Sequence, residues 1–488
     1  MPKIRFVTEK GEDNMDKKKL LILLISLVVV LVLTPLGVII AQRQVERSKE
    51  QKKIENLNAT TFASHGEYEI FQKVPLLTGK NVSYDEAEDF GGENYGIDIY
   101  DTTLEEYHAY LKVLENNGFK KHVDNGEEGL EGYVYTSHYI KDDILVVVTH
   151  FKNMDYTMIA MSENPVLSEH LFYDESYVAD NISGAKTAFH LQELYYAGNS
   201  FVFQLKNGNF IINDGGEPSE LPYLLDYLDA LTPDGQKPVV EAWFITHSHY
   251  DHVGVFQTFM NEKEYIDRVF VEGVYFTEVN KKTWEIYRDY DNPQSSEAYA
   301  RTVPKMLKST KGTAPNVYRC RTGERYYFND ITIDVVYSHD LRSPDTWNTF
   351  NGASTWLMYT VEGQKVLFTA DGEWDNMQTI MGIYDSEYFD LTIYQTPHHG
   401  ASVWDEFTDY LGKIRTVVVP STSIKAVGAG VNHLQNQYLR DVAEEAYSYG
   451  DGAVVFEFPY TTGSAKTLPH KEWKYHSEVP DRFKTDKK

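Results

Sequence analysis

The chain has 488 residues, with 46 Lys plus Arg against 73 Asp plus Glu for a formal net charge of −27, and a single cysteine. At about 100 to 200 residues per domain there is room for two or three compact units, and one cysteine excludes both an intrachain disulfide framework and a cysteine-rich zinc ribbon. Hydrophobic residues at 42%, with 14% aromatics, exclude a disordered chain, while the acid excess disfavours polyanions as partners of the surface at large.

From Leu20 to Ala41 there is no charged residue. As a helix rising about 1.5 Å per residue, this run covers the roughly 30 Å hydrocarbon core of a bilayer, and it reads as a membrane span. Lys17, Lys18 and Lys19 abut its start, whereas Arg43, Arg47 and Lys49 are interleaved with Glu46 and Glu50 beyond it, a bias that leans towards a cytoplasmic amino terminus. A cleavable signal peptide competes, but Ile39 is bulky where a small residue is wanted before a cut at Ala41, and the apolar run is long. The expectation is a cytoplasmic tail (1–19), an uncleaved anchor (20–41) and a charged stalk (42–65). Everything beyond then lies outside the cytoplasm, in a single-pass cell-membrane protein.

Residues 66–165 predict a small α+β domain. The alternating stretch 94–103 is strand-like, then Leu104, Tyr107, Leu111 and Leu114 recur at helical spacing, with Thr102 or Thr103 as the cap. Strand-like runs follow at 132–140, 143–151 and 156–163. His138 and His150 fall on such runs and read as structural histidines. No cluster of catalytic residue types marks a role for this domain.

From 186 to about 460, strands alternate with helical stretches, and residues 461–488 read as a polar tail. Asn207-Gly208 joins a hairpin-like pair of strands. Several further runs repeat one pattern, an apolar strand ending in a polar tip. The sharpest is His247-Ser248-His249-Tyr250-Asp251-His252, directly after an apolar strand. Three imidazoles and a carboxylate in so short a stretch supply the nitrogen and oxygen ligands that suit zinc, with manganese or iron possible. A lone histidine is usually structural, but four ligand types at one strand end are costly to bury unpaired. Asp371 and the pair His398-His399 again follow strands, and Asp214 precedes two glycines that allow a tight turn. Cys320 reads as a packing or surface residue.

These pieces, in this order, resemble the metallo-β-lactamase fold superfamily: an Asp after an early strand, then HxHxDH, a third His, a bridging Asp and a final His. The stretches around Asp371 and His399 are most similar to the metallo-hydrolase domain of competence-type DNA-channel proteins. The resemblance covers roughly residues 186–460 and implies an α/β fold, a four-layer αββα sandwich, here preceded by the transmembrane helix and the small α+β domain. It implies one or two zinc ions, with His247 and His249 on the first, Asp251, His252 and the final His on the second, and Asp371 bridging. The family's Pro-Gly-His-Gly aligns with Pro397 to Gly400, which favours His399 as the final metal ligand over its alternative His398, and His398 would then stand behind the ligands or face the substrate. Asp214 would orient the ligand loop by hydrogen bonding.

The departure is the third histidine of the first metal. Its neighbourhood holds Asn351 and Ser354 instead, as it does in the competence-type relatives, so Asn351 is expected beside the ligands and His339 is a substitute to consider. His433 is a candidate proton donor or substrate contact.

Zinc lowers the pKa of a bound water to about 7, and a pair of ions can hold hydroxide while stabilising developing charge; Asp251 is the residue expected to orient that water. The predicted function is a membrane-anchored, metal-dependent hydrolase of a phosphoester or phosphodiester, small or part of a cell-surface polymer, with nucleic acid disfavoured by the charge. The fold also hosts lactonases and β-lactamases, and the missing histidine suits a non-catalytic, membrane-tethered binding or sensor protein.

Overall fold

The computed structural model describes residues 61–62, 69–84, 88–91, 94–171, 181–195, 198–261, 263–276, 316–339, 350–421, 439 and 441–475. The expected tail and anchor, most of the stalk, and His433 lie outside them. Among the described residues no helix is long and apolar enough to cross a membrane.

The first part is an antiparallel sheet of β1 (Ser83–Tyr84), β2 (Glu88–Gly91), β3 (Asn94–Tyr100), β4 (Lys120–Asp124), β5 (Val134–Lys141), β6 (Ile144–Phe151) and β7 (Tyr156–Glu163). Its order is β1-β3-β7-β6-β5-β4, with β2 beside β3. The helix Leu104–Asn116 starts at a capping box: Glu106 N–H donates to Thr103 Oγ1 (3.2 Å), and Thr103 N–H donates to the Glu106 carboxylate (3.0 Å). Tyr107, Tyr110, Val113 and Leu114 form its buried face.

Beyond it stand two more sheets. One orders β13 (Asn316–Arg319), β12 (Phe270–Phe276), β11 (Val239–Ile245), β10 (Phe210–Asp214), β9 (Ser200–Gln204), β8 (Ala188–Leu191), β21 (Val454–Glu457) and β22 (Lys466–Thr467). The other orders β14 (Arg325–Phe328), β15 (Ile331–Tyr337), β16 (Trp356–Val361), β17 (Gln364–Phe368), β18 (Leu391–Gln395), β19 (Thr416–Val419) and β20 (Glu445–Ser448). A shared apolar core lies between them. Phe189, Phe203 and Phe244 of one sheet meet Tyr359, Phe368 and Ile393 of the other, and Phe203 stacks on Tyr359 at 4.5 Å between ring centres. Each such side chain contributes about 1.5–3 kcal/mol of burial, so this seam joins the sheets beneath the acidic surface. Helices Leu221–Leu231 and Tyr250–Asn261 cover the outer face of the first sheet, and Trp374–Ile383 and Asp405–Leu411 that of the second, which makes the four layers αββα. Cys320 is a buried thiol in the central seam.

The small sheet docks on this sandwich at Gly323. A Cβ there would sit 2.1 Å from Thr136 Oγ1, and the residue has φ 88°, so only glycine allows the approach. Beside it Glu324 is fully buried, with His138 Nε2 at 3.2 Å and Arg321 Nη1 at 3.6 Å. Burial holds His138 below the ordinary imidazole range in spite of Glu324, so Arg321 is the charge that balances the carboxylate.

Residues 461–475, read from composition as tail, lie on the sandwich. β22 pairs with β21, Trp473 is buried against the edges of Tyr195 and Tyr223, and His470 Nδ1 and Lys471 N lie 2.6 and 2.8 Å from the Glu193 carboxylate. One tryptophan in a polar stretch gives no periodic signal, which is why composition hides the packing.

Strands β10 to β13 run parallel, as do β17 to β20. Parallel strands deliver their carboxyl ends to one edge, and that edge is where loop residues collect to form a site. Asp214 ends β10, His247 follows β11, Asp371 follows β17, and His398 follows β18.

Candidate metal centre

β11 ends at Ile245, and the next residues leave the sheet as a loop that enters the helix Tyr250–Asn261. His247 and His249 lie on the loop, while Asp251 and His252 lie in the first helical turn. The helix approaches the Asp214 loop closely: a Cβ on Gly254 would lie 2.5 Å from the Pro218 ring, and one on Gly215 would lie 2.7 Å from Val255. These two glycines let the carboxylate of Asp214 reach under the ligand loop.

Asp214 is fully buried and its hydrogen bonds are complete. Its Oδ1 accepts from Thr246 N–H (2.8 Å), and Oδ2 accepts from Thr246 Oγ1 (2.8 Å) and His252 Nδ1 (2.8 Å). That last bond fixes the His252 ring with Nε2 left for the interior, where it lies 3.2 Å from Asp371 Oδ1. His399 is held the same way, its Nδ1 donating to Pro420 O at 3.2 Å. His399 Nε2 then stands 3.1 Å from Asp251 and 3.4 Å from Asp371.

Two groups result. His247, His249 and Asp371 offer one set of ligand atoms within 4.8 Å of one another, and Asp251, His252 and His399 offer a second. His247 Nε2 lies 3.1 Å from His249 Nδ1 and 3.9 Å from Asp371 Oδ2. The Asp371 carboxylate therefore touches both groups. His252 Nε2, His399 Nε2 and Asp371 Oδ1 are buried without a hydrogen bond of good geometry. Converging unsatisfied nitrogen and oxygen atoms at this cost are what a divalent metal ion would satisfy, and the donor set of imidazole and carboxylate suits zinc.

Other residues stand around them. Asn351 Nδ2 donates to Glu373 Oε1 (3.2 Å) and lies 3.4 Å from His398 Nδ1. His398 is outside both groups, with Nε2 3.9 Å from Asp371. His339 is fully buried and bonded to the backbone of Gly352, and burial lowers its pKa to about 4. It joins neither group, which corrects its candidacy as a substitute ligand. His433 lies outside the described residues.

The roles of four supporting groups escape sequence reading, although Ser354 itself is named by it. Thr246 anchors Asp214, Ser354 Oγ accepts from Asp371 N–H (3.2 Å) and lies 3.4 Å from His247 Nδ1, and Ser402 Oγ lies 3.2 Å from His398 Nδ1. Gln395 Oε1 accepts from both Thr369 and Ala370 N–H at 2.8 Å, fixing the turn that presents Asp371. A threonine, two serines and a glutamine carry no ligand chemistry of their own, so no motif points to them. The turns themselves are unusual: Asp214, Ala370, His398 and His399 have φ of 57°, 48°, 50° and 54°. Non-glycine residues enter this left-handed region at a cost and cluster at functional sites.

Electrostatics divide the imidazoles. Burial, aided by the neighbouring His252 and His249, drives His247 well below the ordinary range, so it is neutral. For His252 and His399 burial opposes charge, yet the carboxylates prevail: Asp371, Asp214 and Asp251 lift His252 well above its usual value, and Asp371 with Asp251 lifts His399 to about 9. Burial would raise Asp251, but His252 and His399 hold it at about 2. In the metal-free protein both raised imidazoles are protonated at pH 7, and a metal ion must displace those protons. Metal affinity is therefore expected to rise with pH from 6.5 to about 9, where His399 loses its proton unaided. The slope is about tenfold per pH unit for each proton displaced. Calorimetry in buffers of different ionisation enthalpy checks it; a pH-independent affinity with no proton release would contradict this assignment.

A family model described as the Metallo-beta-lactamase superfamily matches residues 195–403, a span that contains every residue of both groups. No curated protein matches the chain. Among solved structures, the metallo-beta-lactamase fold protein YhfI from Bacillus subtilis is 12% identical, with a TM-score of 0.36 over 56% of this chain and 100% of its own. A metallo-beta-lactamase from Hirschia baltica is also 12% identical, with a TM-score of 0.20 over 36% of this chain and 58% of its own. Likeness at that level adds nothing to the assignment, which stands on the matched residues and the site they build. Residues 195–403 are a metallo-β-lactamase superfamily domain.

Proposed function

We propose that the protein is a metal-dependent hydrolase of phosphoesters or phosphodiesters, anchored by residues 20–41 with its site outside the cytoplasm. The observation that carries the hydrolase reading is the pair of ligand groups sharing Asp371 at one sheet edge. A bound pair of divalent ions, zinc by the donor set, supplies an acidified water and neutralises charge developing on a phosphoryl oxygen. The chain's own residues do the rest. Asp251, ionised and with its side chain 30% exposed, accepts a hydrogen bond from the attacking water and orients it. Asp214 and Pro420 lock the rings of His252 and His399, so neither ligand turns as charge builds.

The phosphoester preference draws on the texture of the sequence around Asp371 and His399 and on electrostatics. A surface at −27 repels polyanions, so an anionic substrate gains most at a cationic metal centre and least elsewhere, which favours small or locally charged substrates. The rival is a non-catalytic binding protein, and Asn351 in place of the third histidine is what favours it. Metal analysis and a substrate panel separate the two. The purified chain is expected to hold at least one transition metal and to hydrolyse a bis-aryl phosphodiester or a phosphomonoester faster than a lactone or a β-lactam. The His249→Ala, Asp251→Ala double variant is the control. Metal content below one per chain favours the rival, activity that survives the double change sinks the mechanism, and turnover of the lactone or β-lactam alone moves the substrate.

A further inference from the structure

The second group has three protein ligands of its own, whereas the first has two imidazoles and a share of Asp371. Asn351 and Ser354 occupy the stretch where the superfamily pattern has a third histidine. Another imidazole reaches that side of the site. His398 Nε2 lies 3.9 Å from Asp371 Oδ2, the shared oxygen that stands 3.9 Å from His247 Nε2 and 3.4 Å from His399 Nε2. Ser402 Oγ lies 3.2 Å from His398 Nδ1; in the tautomer with the proton on Nδ1 it accepts that proton and leaves the Nε2 lone pair for the site, the arrangement by which outer partners orient an imidazole ligand. The Asn351 amide nitrogen lies 3.4 Å from the same Nδ1. The residue in the missing histidine's place thus backs a different histidine.

The backbone explains how two neighbours serve one centre. Consecutive side chains on a strand point to opposite faces. Here φ is 50° at His398, 54° at His399 and 79° at Gly400, and both imidazoles come within 3.9 Å of the Asp371 carboxylate.

We propose that His398 is the third nitrogen donor of the first metal position, in place of the histidine absent near 351. This rests on the metal-dependent reading above. The ring lies just outside the group whose ligand atoms fall within 4.8 Å, and its side chain is 35% exposed, so it moves inward when the ion binds.

Metal counting and a spectroscopic signature on the full chain test it. Metal-free wild type titrated with zinc is expected to take up two ions, and His398→Ala one, with the second group intact. Ser402→Ala is expected to weaken the first ion about 10- to 100-fold and to leave the second unchanged. His398→Cys loaded with cobalt(II) should show a thiolate-to-cobalt charge-transfer band in the near ultraviolet. The wild type should lack it, because its one thiol, Cys320, is buried in the seam between the sheets. A His398→Ala protein that keeps two ions at wild-type affinity, or a His398→Cys protein without the band, overturns the assignment while the hydrolase reading stands. A wild type that takes up no metal overturns both.

Discussion

Asp371→Asn is expected to lower kcat/KM on any phosphoester the protein hydrolyses by on the order of 10³-fold or more, as loss of a central charge-stabilising group does. The substitution keeps the size of the side chain and removes the charge. That charge is the one shared by the two groups, with His252 at 3.2 Å, His399 at 3.4 Å, and His247 and His398 at 3.9 Å. In the metal-free protein it is also the first of the carboxylates that keep His252 and His399 protonated. Breaking such a buried pair costs about 3–5 kcal/mol. The sign with pH follows from the raised values. Stabilisation by the paired imidazole of His399 is fully present below its ordinary 6.5 and fades as pH rises through about 9. The stability deficit of the metal-free variant should therefore be largest in mild acid and shrink towards alkaline pH. Denaturation at several pH values, with histidine ring-proton titration by NMR, measures both effects. Activity within tenfold of wild type would falsify the central role given to this carboxylate.

Asp214→Ala should be the most damaging change at a residue that is not a ligand. Its carboxylate accepts from Thr246 N–H, from the single Thr246 hydroxyl proton shared between its two oxygens, and from His252 Nδ1. Alanine leaves a buried amide without a partner and a buried, raised imidazole without its nearest counter-charge. The expected loss is about 3–5 kcal/mol in the metal-free state, with a further 10- to 100-fold in metal affinity because the His252 ring is no longer aimed. Asp214→Asn, which keeps an acceptor but not the charge, should fall between wild type and alanine. Urea denaturation and metal titration read the two effects separately. A loss below about 1 kcal/mol for alanine, within the range of an ordinary surface substitution, would show that the network is redundant.

The sequence is most legible where chemistry and periodicity coincide. HxHxDH directly after the apolar strand that is β11 names four side chains before any coordinate is known, and the strand-then-polar-tip pattern places Asp371 and His398-His399 at the same sheet edge. Thr103 and the spacing of Tyr107 and Leu114 mark the helix Leu104–Asn116, because capping and amphipathicity are local. What stays hidden is hidden for physical reasons. β4 (Lys120–Asp124) is polar and mostly exposed, so it alternates nothing and is a strand only because β5 pairs with it. Ser354, Ser402 and Gln395 act through hydrogen bonds made between elements far apart in the chain. His339 shows the reverse error, since a histidine near the right place in sequence is packed against Gly352.

The small sheet is attached to the sandwich by specific contacts. Gly323 and the buried Glu324–Arg321 pair seat it against the sandwich, and Asn125 Nδ2 reaches across to Gly323 O at 3.2 Å.

The three successive left-handed residues from His398 to Gly400 set backbone strain against the chemistry of the side chains they present. At 398 and 399 glycine would adopt the observed φ at no steric cost, whereas an imidazole adopts it under strain. At 399 the buried pairs with Asp251 and Asp371 outweigh that strain, but at the 35% exposed His398 a screen that ranks metal-free variants by melting temperature would favour glycine and lose a ring of the metal site.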